Sequence, residues 1–186
     1  MKRTFDVVLA LLVLLIFLIP IGLLIVLVRT TSPGPAFYWS DRVGRHNRIF
    51  KMPKFRSMRV DTPAVATHLL SEPQAYLTPI GGLLRKSSLD ELPQLWSILR
   101  GDMSFVGPRP ALFNQHDLIA LRSEYQVDTL RPGLTGWAQV NGRDELPIPV
   151  KVKFDAEYLQ QQSFIFDLKI LCLTALKVVR RDGVSH

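Results

Sequence analysis

The sequence predicts an α/β chain: a compact, mostly helical domain with one small β-hairpin, set on an N-terminal re-entrant membrane helix and braced by interfacial amphipathic helices. Three observations predict it. Residues 7–28 form an unbroken apolar run, with charge on both flanks. Residues 37–58 alternate short β-forming stretches with turn residues. From Leu83 onward, helical stretches are punctuated by Gly and Pro, and the last of them is amphipathic. The expected division is residues 1–30 for the membrane helix and 31–186 for the domain with its C-terminal interfacial helix. No interior linker separates further domains.

The first element is the most explicit. Between Val7 and Val28 only Pro20 and Gly22 are not strongly apolar, and neither carries charge. A helix of that run is about 33 Å long, close to the roughly 30 Å of bilayer hydrocarbon. A secretory signal peptide fits poorly, because the run is too long and Arg29-Thr30-Thr31-Ser32-Pro33 lacks a small-x-small cleavage pattern. Phe37, Tyr38 and Trp39 suit the headgroup level. Lys2 and Arg3 precede the run, and a dense basic stretch follows it (Arg42, Arg45, Arg48, Lys51, Lys54, Arg56, Arg59). Positive charge on both flanks favours both flanks in the cytoplasm. Pro20 offers the bend this needs, since it cannot donate to the Ile16 carbonyl and clashes with it. A straight helix with a tolerated proline is the alternative.

After the break at Pro33-Gly34-Pro35, the stretch FYWSDRVGRHNRIFKMPKFRSM reads as a hairpin with a basic face, turned at Gly44 and Asn47. Residues 61–79 read as a loop or short helix. Leu83 to Leu99 reads as helix broken near Ser88, and 115–128 as a short helix. RPGLTGWAQVNGR at 131–143 reads as a glycine-punctuated loop, and 150–162 as helix. In the terminal helix Leu168, Leu171, Cys172, Ala175 and Val179 share one face. Asp167, Lys169, Thr174, Lys177, Arg180 and Arg181 lie opposite, with Ile170 and Leu173 intruding. Such a helix can lie on a membrane or pack on the domain.

Formal charge is +7 and the sequence pI is about 9.9. This points to phosphate-bearing partners. Nucleic acid is a poor candidate beside a membrane helix and without a recognised binding motif. The one cysteine, Cys172, excludes an intramolecular disulfide, and the four histidines show no zinc-type spacing with it.

The tetrapeptide Asp-Glu-Leu-Pro occurs twice, at 90–93 and 144–147. In the first copy, Ser87 and Ser88 stand three residues before Asp90 and Glu91, the spacing of a capping box. A helix start at Asp90 would also offer its N–H groups to a phosphate and keep the acids ionised. Arg85 and Lys86 add positive charge. The second copy, Asp144-Glu145, is followed by Pro147 and Pro149 and reads as a solvated loop.

These stretches occur in a specific order: a hydrophobic segment with a central proline, FKMPKFRSM (50–58), LLRKSSLDELPQLWSILRGDMSFVGPRP (83–110), RPGLTGWAQVNGR (131–143) and FDLKIL (166–171). Together they resemble the small monotopic phosphoglycosyl transferases of bacteria, also called bacterial sugar transferases. The resemblance covers nearly the whole chain. It implies a cytoplasmic catalytic domain on a re-entrant helix at the bacterial inner membrane. It also implies transfer of a phosphosugar from a UDP-sugar to undecaprenyl phosphate, with release of UMP and with Mg²⁺ as cofactor. Asp90 and Glu91 match the family's catalytic dyad, Asp90 as nucleophile and Glu91 holding the metal beside it. Arg109 and Arg143 are planar forks suited to phosphate oxygens. Lys54, Arg56 and Arg85 are further candidates for phosphate contact and equally ordinary cations. Many relatives carry Ser-Pro at the helix break. Here Ile19-Pro20 leaves the freed carbonyl to another polar group or to water. Two other readings stand beside this one: a membrane-anchored phosphohydrolase using Asp90, and a non-enzymatic basic scaffold for glycan assembly.

Overall fold

A computed structural model of the chain describes residues 1–63, 72–142 and 146–180, apart from the side chains of Val179 and Arg180. The second acid pair, Asp144-Glu145, and the candidate phosphate ligand Arg143 lie outside the described residues. So do residues 64–71 of the 61–79 segment and Arg181 of the terminal helix.

The apolar run and its flanks form one helix, α1 (Lys2–Thr31), with Pro20 inside it. Its last turn is closed by hydroxyls: Thr30, Thr31 and Ser32 donate back to the carbonyls of Val26, Leu27 and Val28. Most of its mid-section is exposed, with Leu15 at 72% and Ile19 at 75%. Both ends are held by the rest of the chain. Near the start, Ala10 with Leu9, Val13 and Leu14 joins a core of Leu95, Ile98, Met103, Phe105, Tyr158 and Ile170. Near the end, Val28 with Ile21, Leu24 and Ile25 joins a smaller cluster of Ala36, Phe55 and Leu84.

The predicted hairpin is present: β1 (Phe37–Val43) pairs antiparallel with β2 (Ile49–Phe55), Phe37 opposite Phe55 and Val43 opposite Ile49. Its turn is a 3-10 stretch, Arg45–Asn47, where His46 and Asn47 take left-handed φ of 54° and 57°. The strand period places Phe50, Met52 and Lys54 on one face of β2. Phe50 and Met52 pack on the larger core, so Lys54 looks the same way.

The helical stretch at 83–99 divides more widely than a break near Ser88. Helix α2 (Gly81–Lys86), a 3-10 turn at Leu89–Glu91 and α3 (Gln94–Arg100) follow one another. Strand β3 (Ser104–Val106) precedes α4 (His116–Glu124). Residues 131–143, expected to be a loop, instead contain β4 (Gly133–Thr135) and the short helix α5 (Trp137–Asn141), and β4 pairs parallel with β3. Three-residue strands carry no readable period, and their glycines mimic loop punctuation. Those glycines are there for close approach: a Cβ on Gly133 would lie 2.1 Å from the Gly107 nitrogen, and one on Gly136 2.1 Å from the Gly107 oxygen.

Helices α6 (Ile148–Gln161) and α7 (Phe164–Arg180) complete the fold. The polar side of α7 turns inward. Asp167 is buried and accepts from Tyr158 Oη at 2.6 Å, Thr174 Oγ1 lies 2.7 Å from Thr135 Oγ1, and Ile170 enters the core. Ile165, Leu168, Cys172 and Leu176 face outward. α7 therefore packs on the domain and still presents an apolar face to its surroundings.

The start of α1 is tied down by charge. Lys2 Nζ is ion-paired with Asp167 and donates to Tyr158 Oη and the Val106 carbonyl. Arg3 donates to the carbonyls of Ile98 and Leu99 at the end of α3. Asp6 Oδ1 accepts from the Phe105 amide at 3.2 Å. Asp167 is 3% exposed, and losing its charge removes a hydrogen-bonded pair joining α1, α6 and α7. Asp167→Asn is expected to destabilise the protein by about 2 kcal/mol, the scale of a hydrogen bond to a charged group, as a lower denaturation midpoint in detergent.

Candidate active site

The dyad sits on a turn, not at the start of a regular helix. Ser87 Oγ donates to the carbonyls of Leu83 (2.7 Å) and Leu84 (3.2 Å), so it closes the end of α2. Ser88 takes a left-handed φ of 56° and reverses the chain. The capping box suggested by the Ser87–Asp90 and Ser88–Glu91 spacing does not form, and α3 begins only after Pro93. The reversal sends Leu89 to the smaller cluster, while Leu92 packs against both clusters. The two leucines thus pin the turn that carries Asp90 and Glu91.

Side chains bring the positive charge here. Lys54 Nζ, on the inward face of β2, donates to Glu91 Oε1 at 2.8 Å and lies 4.0 Å from Asp90 Oδ2. Arg109 Nη2 donates to the same Glu91 oxygen at 3.1 Å. Arg85 Nε donates to Ser57 Oγ at 3.0 Å, and its charge favours ionisation of Asp90. Of the predicted site residues, Asp90, Glu91, Lys54, Arg109 and Arg85 are therefore brought together. Arg56 is not among them. It is 5% exposed and donates to the carbonyls of Pro35 (2.7 Å) and Ser32 (3.0 Å), fastening the turn after α1.

The two acids are driven apart. Asp90 is 7% exposed, and burial pushes its carboxyl above the ordinary range against Lys54, with the neighbouring Glu91 charge adding to the rise. At Glu91 burial also opposes the charge, but Lys54 and Arg109 outweigh it and hold the carboxyl well below the usual range. Arg85 is lowered by burial, with Asp90 opposing. The expectation that both acids are kept ionised is supported at Glu91, while at Asp90 burial works against the charge. A helix end would have favoured both charges, whereas discrete cations favour the acid they touch. A pair of acids with separated pKa values in one pocket is a frequent mark of divided chemical roles.

A divalent cation is compatible with this donor set in one mode. Among the described residues no cluster of three or more His, Cys, Asp or Glu forms, and those residues supply two adjacent carboxylates here, Asp90 and Glu91. Mg²⁺ is often held by one or two carboxylates together with substrate phosphates and water.

Two side chains escaped sequence reading. Arg122, on α4, is 8% exposed and pairs with Asp155, on α6, which is 1% exposed. A signal existed: Asp155 stands three residues from Val152 and three from Tyr158, on the buried stripe of α6.

Residues 1–181 match the bacterial sugar transferase family over essentially the full chain, and the protein belongs to that family. It is 40% identical over 188 residues to the uncharacterized sugar transferase EpsL of Bacillus subtilis, covering all of this chain and 91% of EpsL. It is 38% identical over 198 residues to the undecaprenyl-phosphate galactose phosphotransferase of Salmonella typhimurium, covering 98% of this chain and 41% of that protein. The UDP-glucose:undecaprenyl-phosphate glucose-1-phosphate transferase of Escherichia coli is 38% identical over 184 residues, with 95% of this chain and 40% of that protein covered. The chain thus spans most of EpsL and about two fifths of the two larger enzymes.

Burial makes the Asp90 charge unfavourable to the fold. A carboxyl raised in the folded state binds its proton more tightly there than in the unfolded chain. Its charge therefore works against folding above the unfolded-state pKa, and that penalty fades as pH falls through the raised value. Asp90→Asn is expected to raise the denaturation midpoint at pH 7. Lys54→Met, which strips a cation from two buried acids, is expected to destabilise by about 3 kcal/mol in the same assay.

Proposed function

We propose that this protein transfers a phosphosugar from a UDP-sugar to undecaprenyl phosphate, as an opening membrane step of bacterial surface-glycan or glycoconjugate assembly. The observation that carries the reading is the buried, hard-to-ionise Asp90 beside an ionised Glu91, with Lys54, Arg85 and Arg109 around them. The names of the Salmonella and Escherichia coli relatives support the substrate class, with galactose in one and glucose in the other.

Asp90 acts as nucleophile. A carboxylate oxygen attacks the β-phosphorus of the UDP-sugar, the bond from that phosphorus to the bridging oxygen breaks, and UMP leaves with that oxygen and the electron pair. The resulting aspartyl phosphosugar is attacked at phosphorus by an oxygen of undecaprenyl phosphate. This returns the Asp90 carboxylate and yields the lipid diphosphosugar. The covalent step divides one transfer between two anions into two displacements. A carboxylate with a raised pKa is the more basic nucleophile once ionised. Arg109, Arg85 and Lys54 stabilise the charge that develops on the phosphoryl oxygens, and Arg143 is a further candidate for that contact. Glu91 and Asp90 would hold Mg²⁺, which when bound offsets the repulsion between carboxylate and diphosphate.

The same reading puts the catalytic domain on the cytoplasmic face of the inner membrane, with α1 entering and leaving by that face. The contacts at both ends of α1 support it. Lys2, Arg3 and Asp6 engage the domain at one end, and Val28 and Ser32 engage it at the other. A straight span of 30 residues would part those ends by about 45 Å across the bilayer. The outward apolar faces of α1 and α7 would then meet lipid.

Purified protein in nanodiscs, given Mg²⁺, undecaprenyl phosphate and UDP-glucose or UDP-galactose, is expected to release UMP. Asp90→Asn and chelation by EDTA each abolish release, while Asp144→Asn leaves it within about twofold, the size of a change outside the chemistry. Release of free phosphosugar without the lipid acceptor would favour the hydrolase, and lipid binding with no turnover of any UDP-sugar would favour the scaffold. For topology, single cysteines at Thr4 and at Glu124, both exposed, in a Cys172→Ser background are expected to react with a membrane-impermeant maleimide from the cytoplasmic face only. Labelling of the position-4 cysteine from the periplasm would contradict the re-entrant helix.

A further inference from the structure

Four successive carbonyls, from Pro108 of the Gly-Pro-Arg-Pro turn to Ala111 just after it, are taken by four separate donors. The Gly133 amide donates to Pro108 O at 2.8 Å, and Arg122 Nη1 to Arg109 O at 2.8 Å. Arg42 Nη1 donates to Pro110 O at 3.1 Å, and the Val43 amide to Ala111 O at 2.9 Å. Pro108 and Pro110 fix φ on either side of Arg109 and bring no amide hydrogen of their own. The backbone of Arg109 is thus clamped where its guanidinium reaches Glu91 at 3.1 Å.

The donor to Arg109 itself is a side chain, and a buried acid holds it. Arg122 Nε and Nη2 both donate to Asp155 Oδ2, at 3.0 and 2.7 Å. That leaves Nη1 aimed at the Arg109 carbonyl. Asp155 and Arg122 are 1% and 8% exposed. Burying such a pair contributes little stability over apolar residues of similar volume, so orientation is the better account of what it does. A planar fork is suited to this, since two of its donors on a carboxylate set the direction of the third.

We propose that Asp155 is a positioning residue for phosphosugar transfer: it orients Arg122, which holds the Arg109 carbonyl and so aims the Arg109 side chain at Glu91 and the substrate diphosphate. The proposal rests on the reading of Arg109 as a phosphate contact. Asp155 touches neither substrate nor reacting atoms.

The test uses the full-length protein in nanodiscs with two readouts: hydrogen exchange over residues 107–112, and UMP-release kinetics with varied UDP-glucose or UDP-galactose. Asp155→Asn is expected to speed exchange at Gly107 and Leu112, whose amides donate to Thr135 O at 2.9 Å and Gln115 Oε1 at 2.8 Å, and to lower kcat/KM roughly ten- to a hundredfold, the scale of a misplaced binding group. In an Arg109→Lys background, the same change is expected to cost less than about threefold further, because the two residues act on one contact. Full multiplication of the two losses would overturn the proposal, as would unchanged exchange over 107–112. If Asp155→Asn fails to fold, Arg122→Lys carries the same comparison, since one ammonium keeps the charge pair but loses the fork. Wild-type protein that releases no UMP would defeat the transfer reading. The exchange comparison would still decide whether Asp155 positions Arg109.

Discussion

Two adjacent carboxylates cannot be buried together without opposite charge close by, and the site is organised around that constraint. Glu91 receives Lys54 and Arg109 on a single oxygen, while Asp90 lies deeper and has Lys54 only at 4.0 Å. The outcome is an unequal pair: one acid held ionised by contact, the other made basic by burial. Each cation comes from a different part of the chain, so the pair forms only when the hairpin, α2 and the Gly-Pro-Arg-Pro turn are all in place. Electrostatic preorganisation of this kind contributes most where charge develops during reaction.

The same need explains the architecture. Leu92 packs on both apolar clusters, and α1 contributes to both. The dyad's turn therefore sits where the membrane helix, the hairpin and α3 meet. In the proposed reaction a soluble nucleotide sugar and a lipid phosphate meet at one phosphorus, and Asp90 beside α1 would be placed for both.

Elements with a strong period or strong punctuation were legible in the sequence: the apolar run of α1, the hairpin turned at Gly44 and Asn47, and α6 and α7. The parallel pair of β3 and β4 was not, because three residues carry no period and Gly107, Gly133 and Gly136 read as loop. The structure brings together Asp90, Glu91 and Arg109, which their motifs had singled out, yet the capping box at Ser87 and Ser88 was misleading. Local spacing proposed it, and the left-handed turn at Ser88, fixed by where Leu89 and Leu92 must be buried, overrode it. The guanidinium of Arg56 could not be distinguished from that of Arg109 by residue type. Only the three-dimensional partners separate a backbone fastener from a site cation.

In the proposed reaction Asp90 becomes covalently bonded to phosphorus. The most direct measurement is intact-protein and peptide mass after mixing the enzyme with Mg²⁺ and its UDP-sugar, without lipid acceptor. Expected are one equivalent of UMP released per enzyme and a phosphosugar adduct on the peptide carrying Asp90, discharged when undecaprenyl phosphate is added. UMP formation that requires the lipid from the outset, with no adduct on Asp90 at any time, would contradict the covalent step.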